Sequence, residues 1–395
     1  MDRIIINLEA IRHNLLVVDR WMRDHGAHWT LVTKVLCGHA ETLQALTSLG
    51  VTSFGDSRLE NLAEIRRIAP EAERWLVRLP GVSVAREVVA LAHASLVSEF
   101  AVMQALSAEA RRQDTEHGVI IMIELGDLRE GILPGRLIEF YNQVFELTNI
   151  RVLGIGANFG CLAGALPSVD HFMQLILYRE LLELKFGHKL PYISAGATVA
   201  LPLVLDHQLP RTVNHFRIGE AVFLGTDLVH GGALPHLRDD AIVVEAEVLE
   251  IQQKSLVSTV ETGVHTPFAP LAPGDTPPGG RGYRALVGVG QLDTEIAGLT
   301  PLQPDYRIVG ATSDITVVSI GENPRRLAVG DAIRFRPSYA ALVRLMAGKY
   351  LARTLDPSLD QFLATGGMGP GQFADPVMPQ ERLRRQAREA APPRD

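Results

Sequence analysis

Between Leu31 and Ile218 the chain alternates short apolar runs with helix-spaced segments, and this alternation limits the folds open to it. The apolar runs end at Lys34 and then cover Ser53–Gly55, Trp75–Leu79, Leu96–Ser98, Val119–Glu124, Val152–Asn158, Tyr192–Ser194 and Val213–Ile218. The helical segments are Glu9–His25, His39–Leu49, a stretch capped by Asp56 or Ser57 that runs to Ile68, Val82–His93, Phe100–Gln113, Leu133–Leu147, His171–Phe186 and Thr198–His207. Near-continuous apolar strands joined by helices form parallel sheets covered on their faces. Eight such units in this span predict an α/β chain with a (β/α)₈ TIM barrel. A doubly wound open sheet is the alternative, but no GxGxxG follows the first strand.

The pattern changes after about Asp240. AIVVEAEVLEIQQ, RALVGVG, RIVGATSDITVVSI and AIRFRPSY read as strands, so a β-rich C-terminal domain follows the barrel. The expected division is 9–235 for the barrel, 1–8 plus 236–350 for the β-rich domain, and 351–395 for a tail. The Pro- and Gly-rich stretch His265–Tyr283 reads as a long loop. The charged end MPQERLRRQAREAAPPRD reads as a helix fragment or a disordered tail. A net charge of −7 argues against a nucleic-acid partner. The start has charged residues among its apolar ones and does not read as a signal peptide. No run of 18 apolar residues predicts a membrane span. The two cysteines, Cys37 and Cys161, offer neither a disulfide framework nor zinc spacing, and the expected setting is the cytoplasm.

Polar residues gather where the strands end. In WTLVTKVLCGH a short strand delivers Lys34 to its C-terminal end, the end at which barrels carry out chemistry. Such a lysine is either a solvated turn residue or, partly desolvated, an amine able to form a Schiff base with a carbonyl. GDSRLEN, ELGDLREGILPG, ANFGC, SAGAT and HFRIGEA end other strands on the same face. SAGAT and RIGE put small residues at helix starts, where backbone N–H groups attract phosphate. A lysine on the first strand facing a phosphate seat on the last two suits pyridoxal phosphate. His39 and His215 have no partner at metal-ligand spacing and read as structural, and no metal site is expected.

With INLEAIRHNL, VTKVLCGH, GDSRLENL, IELGDLREGI, GIGANFGC, NHFRIGEAVFLG, VGVGQLDTEIAGLTP and GATSDITVV, the chain resembles the pyridoxal-phosphate-dependent alanine racemase superfamily from about residue 4 to residue 350. It is more similar to the alanine/ornithine racemase branch than to alanine racemase itself. The resemblance implies an amino-acid racemase, with a basic amino acid as substrate and a homodimer as the active form. It implies Lys34 as the Schiff-base lysine and one of two acid/base groups. Arg129 matches an arginine beside the cofactor's phenolic oxygen, with a rim ion pair to Glu130 or Asp127 as the alternative. Asn158 stands where alanine racemase has a histidine against the pyridine ring. Ser194, Gly196, Ala197 and Thr198 match the phosphate seat, extended by Gly219 and Glu220. Arg217 matches an arginine facing the pyridine nitrogen, with an ion pair to Glu220 as the alternative. A fixed cation there keeps the nitrogen unprotonated and favours simple proton exchange.

The stretch Val287–Asp293 has no tyrosine where alanine racemase carries its second acid/base group. The candidates for that role are Asp314, Tyr339 and Cys161, each with a structural alternative. Aldol cleavage or dehydration on the same fold, a cofactor-binding carrier with little turnover, and a lysine aldolase without the cofactor are the competing readings.

Overall fold

The computed structural model describes residues 2–255 and 281–365. Its strands are β1 (Arg3–Asn7), β2 (His28–Val32), β3 (Ser53–Asp56), β4 (Glu73–Leu76), β5 (Ala94–Val97), β6 (His117–Met122), β7 (Ile150–Gly156), β8 (Tyr192–Ala197) and β9 (His215–Ile218). These are followed by β10 (Ile242–Ser255), β11 (Arg281–Val287), β12 (Leu299–Pro301), β13 (Arg307–Ala311), β14 (Thr316–Ser319), β15 (Ala332–Pro337) and β16 (Ala352–Asp356). Strands β2 to β9 close into a barrel in sequence order, so the expected (β/α)₈ topology is present and the open sheet is ruled out. Closure pairs β2 with β9 in parallel, His28 opposite His215 and Thr30 opposite Arg217.

The helices form for local reasons. Asn7 ends β1 and accepts the Ala10 N–H at 3.0 Å, starting the helix Leu8–His25. Ile11, Leu15, Val18 and Met22 recur along one face of that helix, and all four are buried. Gly26 stops it in the left-handed conformation at φ 78°. The third helix begins at Leu59, later than its expected cap. Asp56 instead folds back to accept the N–H of Arg58 at 3.0 Å and the Asn61 amide at 2.9 Å. Inside the barrel Trp75, Leu96, Ile120, Met122, Leu153 and Tyr192 form an apolar half-core of their own.

The second domain is a mostly antiparallel sheet in the order β12-β15-β10-β11-β14-β13. Strand β1 joins it by pairing with β10 and β16 before the chain enters the barrel. Two expectations change here. Residues 352–364, placed in a tail, form β16 and the helix Leu359–Ala364. Arg281–Tyr283, placed in the long loop, open β11. The remainder of that loop and the charged end lie outside the described residues. Among the described residues no helix is long and apolar enough to cross a membrane.

Barrel closure depends on close backbone approach between β7 and β8. A Cβ on Gly154 would fall 2.0 Å from the Tyr192 carbonyl oxygen. Gly154→Ala should therefore cost about 1–3 kcal/mol of stability in denaturant unfolding. Gly135→Ala, where a Cβ meets nothing within 4 Å, should stay within about 0.5 kcal/mol of the parent.

Candidate active site

One cavity of about 390 Å³ opens at the C-terminal ends of the barrel strands. Lys34, Arg129, Asn158, Cys161, Ala197, Thr198, Arg217, Gly219, Glu220 and Tyr339 all contribute to its wall. Most come from turns after different strands, and Tyr339 comes from the second domain, at the start of the helix Tyr339–Ala347. Lys34 lies just past β2, on a 3-10 turn rather than within the strand. Thr33 anchors that turn by donating to Asp56 Oδ2 at 3.1 Å. The Lys34 Nζ sits 5.4 Å from the centre of the Tyr339 ring. The Tyr339 hydroxyl is buried and accepts or donates no well-aligned hydrogen bond among the described residues. Burial pushes its pKa up, with Lys34 opposing.

Arg217 is buried at the end of β9. Its Nη1 donates to both the carbonyl and the hydroxyl oxygen of Ser194. Its Nη2 donates to the Ala157 carbonyl at 3.0 Å and to Asn158 Oδ1 at 2.8 Å. A guanidinium has five N–H donors. The four on Nη1 and Nη2 are thus taken, and Nε–H is the one left for the cavity. Burial lowers the Arg217 pKa to about 10, which leaves the group charged at neutral pH. The alternative of an ion pair with Glu220 is not what holds it.

Arg129 does form the rim ion pair, with Glu130, and still faces the cavity. Glu130 also accepts from the Asn158 side-chain amide, so Arg129 and Arg217 are linked through Glu130 and Asn158. The loop that carries Arg129 wraps around the Glu124 carboxylate, which accepts the N–H groups of Leu128 and Arg129 at 3.0 and 3.3 Å. Asp127 reaches across to the N–H groups of Cys161 and Leu162 at 3.0 and 3.1 Å, fixing the segment that presents Cys161. Asp127 and Glu130 are supports that sequence reading treated only as ion-pair partners. Their placement within ELGDLREGI, beside Arg129, is the signal that could have marked them.

Two turns complete the wall. The segments starting at Thr198 and Glu220 each open a short helix, so their first N–H groups lack helical acceptors. Thr198 Oγ1 ties the two together by accepting the Ala221 N–H at 3.2 Å. Gly219 packs tightly on β2, where a Cβ would come 2.6 Å from the Val32 carbonyl oxygen. Ser194 and Gly196 do not line the cavity. Both lie within β8, which runs through to Ala197, three residues past its expected end. Ser194 is buried under Arg217, and a Cβ on Gly196 would strike the Phe216 ring at 2.0 Å. Asp314 stands in the β13–β14 hairpin of the second domain and is not part of the wall.

The model of the alanine racemase N-terminal domain matches residues 6–227. An ornithine racemase from Acetoanaerobium sticklandii is 30% identical, covering 89% of this chain and 99% of that protein. A lysine racemase from Thermotoga maritima is 29% identical, covering 90% of this chain and 99% of that protein. The structure of alanine racemase from Bartonella henselae with covalently bound pyridoxal phosphate superposes with a TM-score of 0.67 at 15% identity, over 90% of this chain and 99% of that one.

Burial raises the Glu220 pKa from its ordinary 4.5 to about 7, against the opposing charge of Lys34. Between those values the unfolded chain loses a proton that the folded chain keeps. Glu220 therefore removes stability as pH rises from 4.5 to about 7. Glu220→Gln should match the parent below that range and become progressively more stable than it up to about pH 7, as read by unfolding at each pH.

Proposed function

The chain belongs to the alanine racemase family, and from that premise we propose that it is a pyridoxal-phosphate-dependent racemase of a basic amino acid. The observation that carries this is the meeting of Lys34, the spare Arg217 Nε–H and the Thr198 and Gly219 turns on one cavity. That set fits the cofactor: an amine for its aldehyde, a fixed cation for its ring nitrogen and backbone donors for its phosphate. Arg129 and Asn158 suit its phenolic oxygen and ring face. When bound, pyridoxal phosphate withdraws electrons and acidifies the α-hydrogen of an amino acid joined to it.

The chain's own residues have separate tasks. Lys34 would hold the cofactor through its amine and, as a free amine, would take or return the proton at the substrate Cα on one face. Arg217, charged at neutral pH, leaves the ring nitrogen without a proton and restrains side reactions. The turns at Thr198 and Gly219 hold the phosphate through main-chain N–H groups. Tyr339 packs its ring against Lys34.

Proton transfer on the opposite face is assigned to Cys161. Burial makes the Tyr339 hydroxyl hold its proton, which suits it poorly to act as a base. Cys161 lines the cavity on an exposed segment held by Asp127. Asp314 stands outside the wall of its own chain, and serves a racemase only by reaching a partner's cavity in the expected homodimer. The basic substrate rests on likeness to ornithine and lysine racemases.

The test is to load the protein with pyridoxal phosphate and incubate it with individual amino acids in D₂O. L-ornithine or L-lysine should gain α-deuterium and yield the D-enantiomer, and Lys34→Ala should reduce this by at least about 10³-fold. Release of an aldehyde instead would support the lyase reading. A bound cofactor without α-exchange would support the carrier. Cys161→Ala should cut α-deuteration from one enantiomer by roughly 10²-fold while sparing the other. Equal loss from both would remove Cys161 from its assigned role.

A further inference from the structure

The bond from Arg217 to Ser194 is the first link of a longer line through the barrel. Ser194 Oγ lies 2.7 Å from His215 Nδ1. His215 Nε2 lies 3.1 Å from Thr30 Oγ1, and Thr30 Oγ1 lies 2.9 Å from Ser53 Oγ. Ser53 Oγ donates to Glu73 Oε2 at 3.1 Å. The residues come from β8, β9, β2, β3 and β4, so the line crosses the seam where the barrel closes. Ser194, His215, Thr30 and Ser53 are all buried, beside the apolar cluster that includes Trp75, Leu96, Ile120 and Tyr192.

The direction of every proton along the line follows from its ends. A guanidinium only donates, so Ser194 Oγ accepts from Arg217. The Ser194 hydroxyl hydrogen must then find an acceptor, and His215 Nδ1 is the one at hand. An imidazole that accepts at Nδ1 is neutral and carries its proton on Nε2. That proton goes to Thr30, the Thr30 hydroxyl donates to Ser53, and Ser53 donates to Glu73. Each donor has one acceptor and no hydrogen is left over. The surroundings agree. Burial, with Arg217 and His28 nearby, lowers the His215 pKa well below its ordinary value. Trp75 stacks on the ring at 4.5 Å and Tyr192 packs at 4.9 Å, fixing its plane.

We propose that His215 is a positioning residue for Arg217: as the neutral Nε2–H tautomer it locks Ser194 Oγ under Nη1, which turns Arg217 Nε–H toward the cavity. The effect on turnover rests on the racemase reading above. The tautomer and the line of hydrogen bonds do not. Ser194 thereby gains a role that its expected place in the phosphate seat does not describe. Glu73 is the terminal acceptor, and Thr30 and Ser53 transmit its orientation to the ring.

The test has two arms. In the first, cofactor-free protein labelled with ¹⁵N-histidine is followed by NMR from about pH 5 to about pH 8, with the His215 signals assigned through His215→Gln. His215 should stay neutral throughout with its proton on Nε2. Titration within that range, or a proton on Nδ1, would overturn the proposal without touching the racemase reading. In the second arm, Ser194→Ala in the loaded enzyme should lower kcat roughly tenfold with KM within about twofold, and should shift the absorbance band of the bound cofactor. Ser194→Thr, which restores the hydroxyl, should recover both. An unchanged kcat and band in Ser194→Ala would overturn the positioning role. A parent protein that binds no pyridoxal phosphate would overturn the racemase reading and leave the first arm standing.

Discussion

A guanidinium buried inside a barrel must have its donors satisfied, and the site is arranged around that demand. Leaving such a charge without hydrogen bonds costs several kcal/mol. Arg217 meets the requirement with acceptors from three residues: Ala157 and Asn158 after β7, and Ser194 in β8. Those acceptors consume every donor but one, and so dictate which N–H faces the cavity. The same residues pass the constraint outward, through Asn158 to Glu130 and Arg129 on the rim, and inward through Ser194 to His215.

The second domain adds what a barrel alone lacks. Strand β1 ties the start of the chain into the second sheet, and the helix from Tyr339 returns across the top of the barrel. Tyr339 then lies over Lys34, while Glu220 borders the same cavity and feels the Lys34 charge. Lys34, Glu220 and Tyr339 thus form a cluster whose groups act on one another's charge. That is a suitable setting for an amine that must alternate between covalent attachment and proton transfer.

The barrel was legible because its signal repeats. Runs such as VIIMIE and helical stripes such as Ile11, Leu15, Val18 and Met22 each report burial on a fixed period. Lys34 stood out because it ends a strand, while Arg129 and Arg217 were marked by the resemblance of the motifs that carry them. What the sequence hid was direction. Ser194 looked like a turn residue because small residues follow it, yet β8 runs on past it and its side chain faces inward. Thr30, Ser53 and His215 are single polar residues in apolar strands. Each alone resembles a tolerated core substitution, and barrel closure is what brings them together. Residues 352–364 read as tail because β16 is short and charged, and its place is set by pairing with the distant β1.

The central claim is that Lys34 is the residue to which pyridoxal phosphate becomes attached. The direct measurement is to incubate the full-length protein with the cofactor, reduce it with borohydride, digest it and map the modified peptide by mass spectrometry. A phosphopyridoxyl group on the peptide containing Lys34, in near-stoichiometric yield, is the expected result. A label on another lysine, or none at all under conditions where the protein is folded, would contradict it.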